Sequence, residues 1–140
     1  MFWDTSAIIP VVLPEVRSVV LTEALAADRE VTLWWGTPVE CLSAIYRRHR
    51  DTALPGSLLT GALNRLRALV EDADAVAPTD EVRRRAGRLV AAHPLRAADA
   101  LQLGAALIWC EEQSHGEAFV CLDERLREAA RREGFALIPE

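Results

Sequence analysis

Short apolar runs punctuate the chain at Met1–Trp3, Val31–Trp35, Ala75–Ala77, Ala118–Leu122 and Phe135–Ile138, each the length of a buried strand. Between them the apolar period changes. Val16, Val19, Val20 and Ala24 mark one helix, and Leu59, Ala62, Leu63, Leu66, Leu69 and Val70 mark another at the i, i+3, i+4 spacing that turns one face inward. Val82, Ala86, Leu89 and Val90 mark a third, whose outward side carries Arg83, Arg84, Arg85 and Arg88. The segment Ala97–Trp109 is apolar almost all round, which a helix tolerates only when other elements surround it. A last helix over Glu124–Glu133 ends with Arg131 and Arg132 in its final turn and Gly134 beyond, a normal stop signal. This alternation predicts a three-layer α/β/α fold around a central parallel sheet of four to five strands. With no internal repeat and no linker rich in Gly, Ser or Pro, one domain is expected over residues 1–140.

Composition narrows the chemistry. A hydrophobic fraction of 51% over 140 residues supplies enough core for folding without staples. Cys41, Cys110 and Cys121 are odd in number and far apart, so neither a zinc spacing nor a disulfide framework is expected, and a reducing cytoplasm suits them. The start Met1-Phe2-Trp3-Asp4-Thr5 lacks the basic and apolar pattern of a secretory signal. The apolar stretch near Leu101–Trp109 is too short to span a bilayer. The formal charge of −5 argues against coating nucleic acid by bulk electrostatics, although local patches are compatible with it. All 16 basic residues are arginine, which removes P-loop, Schiff-base and other lysine-dependent chemistry. His49, His93 and His115 show no metal spacing, and two of them are expected at the surface near helix ends.

Four acids stand where a strand passes into a helix or in a helix's first turn: Asp4, Glu40, Asp99 and Asp123. Each has a structural explanation of its own. Asp4 and Asp123 read as N-caps, Asp99 gains from a helix dipole, and Glu40 completes a capping box with Thr37 ahead of Pro38. Taken jointly they point to the carboxyl edge of the sheet, where doubly wound folds bind ligands. Their convergence depends on a strand order that periodicity does not reveal.

The segments Met1-Phe2-Trp3-Asp4-Thr5-Ser6-Ala7, Pro38-Val39-Glu40-Cys41-Leu42-Ser43-Ala44, Leu95-Arg96-Ala97-Ala98-Asp99-Ala100-Leu101-Gln102-Leu103 and Phe119-Val120-Cys121-Leu122-Asp123, in this order, resemble the PIN-domain ribonucleases. More narrowly, they resemble the VapC-like toxins of toxin–antitoxin pairs. The resemblance implies that Asp4, Glu40 and Asp99 hold Mg²⁺ or Mn²⁺, with Asp123 as a fourth acid. It implies cleavage of RNA by water that the ion acidifies, leaving a 5′-phosphate and a 3′-hydroxyl. The position two before the fourth acid, commonly Thr or Ser in that family, is Cys121 here.

Carboxylates without His or Cys partners suit a hard cation of this kind, and the ion would relieve their mutual repulsion. Thr5 and Ser6 are candidate substrate or carboxylate contacts, as well as candidate caps, and Arg96 is a further candidate substrate contact. Arg47, Arg48 and Arg50, together with the Arg83–Arg88 cluster, are either phosphate contacts or solvated helix faces. The resemblance also implies a small cognate antitoxin laid along a hydrophobic groove, and a homodimer. A housekeeping PIN nuclease and a non-catalytic interaction module stand as alternatives. Trp3, Trp34, Trp35 and Trp109 are expected mainly in the core, with an interface use open to some.

Overall fold

The computed structural model describes residues 1–14 and 18–140. Among them the elements run β1 (Phe2–Trp3), α1 (Thr5–Val12), α2 (Ser18–Ala27), β2 (Thr32–Trp34), α3 (Thr37–Thr52) and α4 (Gly56–Asp72). There follow β3 (Asp74–Val76), α5 (Asp80–Ala92), α6 (Ala97–Trp109), β4 (Ala118–Val120), α7 (Glu124–Arg132) and β5 (Ala136–Ile138). Val16, assigned by the pattern to the helix that is now α2, lies outside the described residues.

The strands form one sheet in the order β3-β2-β1-β4-β5, with every pairing parallel. From β1 the chain steps outward to β2 and β3, then crosses back past β1 to β4 and on to β5. The reversal leaves a crevice between the carboxyl ends of β1 and β4. Although β1 has only two residues, it is held on both sides: Phe2 lies opposite Thr32 and Phe119, and Trp3 opposite Val120. The Asp4 N–H extends the pairing by donating to the Val120 carbonyl at 2.9 Å.

Strand alternation sorts the core into two halves. Phe2, Trp34 and Phe119 face one side, where they meet Val82, Ala86 and Leu89 of α5, Leu103 and Leu107 of α6, and Leu126 of α7. Trp3, Leu33 and Val120 face the other, against Ala7 and Ile8 of α1, Leu21 of α2, Cys41 and Ile45 of α3, and Ala62 and Leu66 of α4. Parallel strands buried on both faces read as short unbroken apolar runs, which accounts for the pattern at β1, β2 and β4; the edge strands β3 and β5 are more exposed.

Helix α6 lies at the centre of its layer, buried at Ala100 and from Gln102 to Leu107. It approaches α5 closely at Gly104, where a Cβ would come within 3.1 Å of the Ala86 nitrogen and 3.3 Å of the Val82 oxygen. At the other end of the same layer an ionic cluster ties α5 to α7. Arg85 donates to Glu112 and Glu133, and the buried His93 pairs with Glu133 at 2.7 Å. Of the other histidines, His49 is half-buried and His115 exposed. The tryptophans divide as well: Trp3 and Trp34 are core residues, Trp109 packs half-buried against the core, and Trp35 is 60% exposed.

Candidate active site

The topology carries all four acids to the carboxyl edge of the sheet. Asp4 directly follows β1 and caps α1, its carboxylate accepting from the Ser6 N–H at 2.9 Å. Asp123 follows β4 by way of Cys121 and Leu122 and caps α7 through the Leu126 N–H at 3.0 Å. Asp99 sits in the first turn of α6 and accepts from the Arg96 N–H at 3.4 Å. Capping therefore explains part of the chemistry of three acids.

Glu40 behaves differently. The N-cap of α3 is Gly36, not Thr37, and no side chain caps that helix. Gly36 is fixed there by the Trp34 indole, since a Cβ would lie 2.6 Å from its Nε1. The capping box read from Thr37 and Glu40 is thus absent. Glu40 instead turns inward, its Oε2 accepting from the Thr5 hydroxyl at 2.8 Å and from the Gln102 amide at 3.1 Å.

The acids form two pairs. Asp4 lies close enough to Glu40 to feel its charge, and Asp99 close enough to Asp123. Burial pushes the Asp4 carboxyl up to about 6 against the Ser6 hydrogen bonds, and the Glu40 charge adds to the rise. Asp99 is raised from its ordinary value by burial first, opposed by the Arg96 N–H, with the Asp123 charge adding to the rise and Arg125 and Arg96 opposing it. Among the described residues no three His, Cys, Asp or Glu side chains are gathered closely enough to ligate one ion.

Ser6 and Cys121 join the pairs. The Ser6 hydroxyl donates to Asp4 and accepts the N–H groups of Leu122 at 2.8 Å and Asp123 at 3.3 Å, fastening the β1 end to the β4 end. The Cys121 thiol contacts Asp4 Oδ2 at 3.6 Å and touches Asp123 only through its backbone carbonyl at 3.7 Å. Its side chain therefore supports the first acid of the set and not the fourth. Burial, with the Asp4 charge next, holds that thiol neutral.

A family model for the PIN domain matches residues 1–132. The chain belongs to the PIN-domain family. PIN domains are in general nucleases, and PIN nucleases generally use divalent metal ions. Among solved structures, FitAcB from Neisseria gonorrhoeae matches 97% of this chain and 94% of its own, with a TM-score of 0.65 at 16% identity, so the likeness is one of fold. No curated protein sequence matches.

The remaining candidates of this PIN domain divide between those beside the pairs and those away from them. Thr5 and Ser6 are occupied with Glu40 and Asp4. Arg96 is exposed at the start of α6, beside Asp99. Within the α5 cluster Arg85 is committed to Glu112 and Glu133 and Arg83 to Asp80, while Arg84 and Arg88 face solvent. Arg47 and Arg50 are exposed towards the far end of α3. Two residues that the acid pattern did not reveal, Thr37 and Gln102, are buried within the site and bonded to each other. A signal for the second existed: a lone amide in a helix apolar all round must be buried, and a buried amide needs partners.

Proposed function

We propose that this PIN domain is a Mg²⁺-dependent endoribonuclease, Mn²⁺ serving in its place, and the toxin of a toxin–antitoxin pair. The observation that carries the reading is Glu40. Helix-start hydrogen bonds occupy the other three acids. A place in the first turn of α3 suits a negative charge on Glu40 but does not account for its side chain turning inward beside Asp4, where it raises the cost of ionising a buried group. Among the described residues, hydrogen bonds to each acid fall on one oxygen only, Oδ2 of Asp4 and Asp99, Oε2 of Glu40 and Oδ1 of Asp123. The second oxygen of each is left to other partners.

This donor set fits a hard divalent cation, because Mg²⁺ binds through one or two carboxylates and keeps several waters, so a pair of acids suffices. Asp4 with Glu40, and Asp99 with Asp123, would hold it. When bound, such an ion supplies the positive charge that offsets the acids and the scissile phosphate and favours ionisation of an attacking water. The protein's own groups do the positioning. Ser6 and Thr5 fix one oxygen of Asp4 and one of Glu40, and Arg96 stands exposed beside Asp99 to meet a phosphate. Asp99 and Asp123 are half-buried and Arg96 exposed at the sheet edge, where a single-stranded or looped RNA could reach them.

The toxin role, a small antitoxin partner and a homodimer rest on the likeness of the four motif segments to VapC-like toxins, and the PIN fold supports them. A non-catalytic interaction module is the second reading, favoured by one observation: Asp4, Asp99 and Asp123 all make helix-start hydrogen bonds. The test uses Asp4→Asn, Asp99→Asn and Glu40→Gln, with cleavage of total cellular RNA measured with and without EDTA beside circular dichroism. Asn caps nearly as well as Asp, so each fold should survive while metal-dependent cleavage is lost. Wild-type cleavage by well-folded variants would remove the mechanism built on these acids, and absence of metal-dependent cleavage by the wild type would leave the interaction module standing.

A further inference from the structure

Resting on the reading of the acids as a metal site, we infer that Gln102 is a positioning residue, setting which oxygen of Glu40 is offered to the ion and joining the two acid pairs. Gln102 is 1% exposed, in a helix otherwise apolar along its buried length. Its Nε2 lies 3.1 Å from Thr5 Oγ1, 3.0 Å from Thr37 Oγ1 and 3.1 Å from Glu40 Oε2. The Thr37 hydroxyl also lies 3.3 Å from its Oε1. One side chain of α6 thus binds α1 and α3.

The orientation of the amide follows from its partners. Reversed, it would set an acceptor oxygen against the Glu40 carboxylate, so the amino group must face the acid. With the Thr5 hydroxyl donating to the same atom, Glu40 Oε2 receives two donors and Oε1 none among the described residues. Three residues earlier on the same helix stands Asp99, so one face of α6 presents Asp99 to Asp123 and Gln102 to Glu40. A shift of α6 would alter both pairs together. A core amide serving only its own hydrogen-bonding needs would have no reason to choose a half-buried carboxylate that is itself unpaired with any cationic side chain among the described residues.

The role separates from mere packing by metal affinity, because groups that hold a ligand in place typically change affinity about 10–100-fold when removed. Mn²⁺ would be titrated calorimetrically into the whole wild-type chain, Gln102→Leu and Gln102→Glu, with melting followed in EDTA and in saturating Mn²⁺. Gln102→Leu keeps the bulk and loses the donors, and its Mn²⁺ dissociation constant should rise about 10–100-fold. Gln102→Glu sets a further negative charge beside Glu40. It should melt lower than wild type in EDTA and gain more than wild type from Mn²⁺. Dissociation constants within twofold of wild type in both variants, whatever their melting temperatures, would overturn the inference. If Gln102→Leu fails to fold, Gln102→Glu decides alone, an unchanged Mn²⁺ gain counting against the role. Absence of Mn²⁺ binding by the wild type would overturn the metal reading beneath it.

Discussion

At the scale of single residues the chain carries a group that works against its own fold. Asp4 is buried with its carboxyl pushed up to about 6 from 3.8, so between those values the unfolded chain releases a proton that the folded one keeps. Stability from this group is complete below about pH 4 and is lost as pH rises through 6. In EDTA at pH 7.5, Asp4→Asn should therefore stabilise the protein, by at most about 3 kcal/mol for a shift of roughly two units. At pH 4 the gain should vanish. Denaturant melts at the two pH values check this, and an equal effect at both would show that desolvation of the charge is not the cause. The cysteines behave in the same spirit: burial, with Asp4 and Glu40 nearby, pushes the Cys41 thiol up to about 12. Iodoacetamide at neutral pH should spare Cys41 and Cys121 and modify the half-exposed Cys110, as mass spectrometry of the labelled native protein would read.

At the scale of elements, sequence and structure agree where an element is defined by its own pattern and part where it is defined by partners. All five strands lie within the apolar runs that predict them, or one residue away; β1, β2 and β4 owe those runs to burial on both faces, whereas the edge strands β3 and β5 are more exposed. Helix α6 was legible from its all-round apolarity. The extent of α1 was not, since Ile8, Ile9, Pro10, Val11 and Val12 give neither a helical stripe nor a good helix composition. Burial of Ala7, Ile8, Pro10 and Val12 against the sheet overrides that weak propensity. The contact of α5 with α6 gives a prediction of opposite signs on two glycines. Gly104→Ala should destabilise by about 1–3 kcal/mol, because its Cβ meets the α5 backbone, which does not yield as a side chain would. Gly87→Ala, on the open face of α5 with nothing near its Cβ, should stabilise by about 0.5–1 kcal/mol. Chemical denaturation of the two variants measures both.

At the scale of the whole molecule, the four acids were individually legible and their arrangement was not. Sequence order leaves open which strands are neighbours, and only the order β3-β2-β1-β4-β5 sets Asp4 beside Glu40 and Asp99 beside Asp123. Gln102 was invisible as a hub for the same reason, its partners lying 62, 65 and 97 residues away along the chain. An ion taken up by these groups binds the folded state alone, so Mg²⁺ should raise the melting temperature. At about 100 times its dissociation constant the gain is about 2.7 kcal/mol, on the order of 5–10 °C for a chain of this size. Scanning calorimetry across a Mg²⁺ series checks this, with Ca²⁺ as a comparison for site size.

The strand at the middle of the sheet is made before the other four, and its second neighbour only after two further strands and six helices among the described residues. Ser6 waits for Leu122 and Asp123, and Asp4 for Val120, across more than a hundred residues of intervening chain. A nascent polypeptide halted between α3 and β4 holds Asp4 and Glu40 but lacks the strand that pairs with β1 on its other side and the acid that faces Asp99. On the reading proposed above, a partly made chain would carry one acid pair without the other, and the two pairs could act together only once β4 and Asp123 are in place.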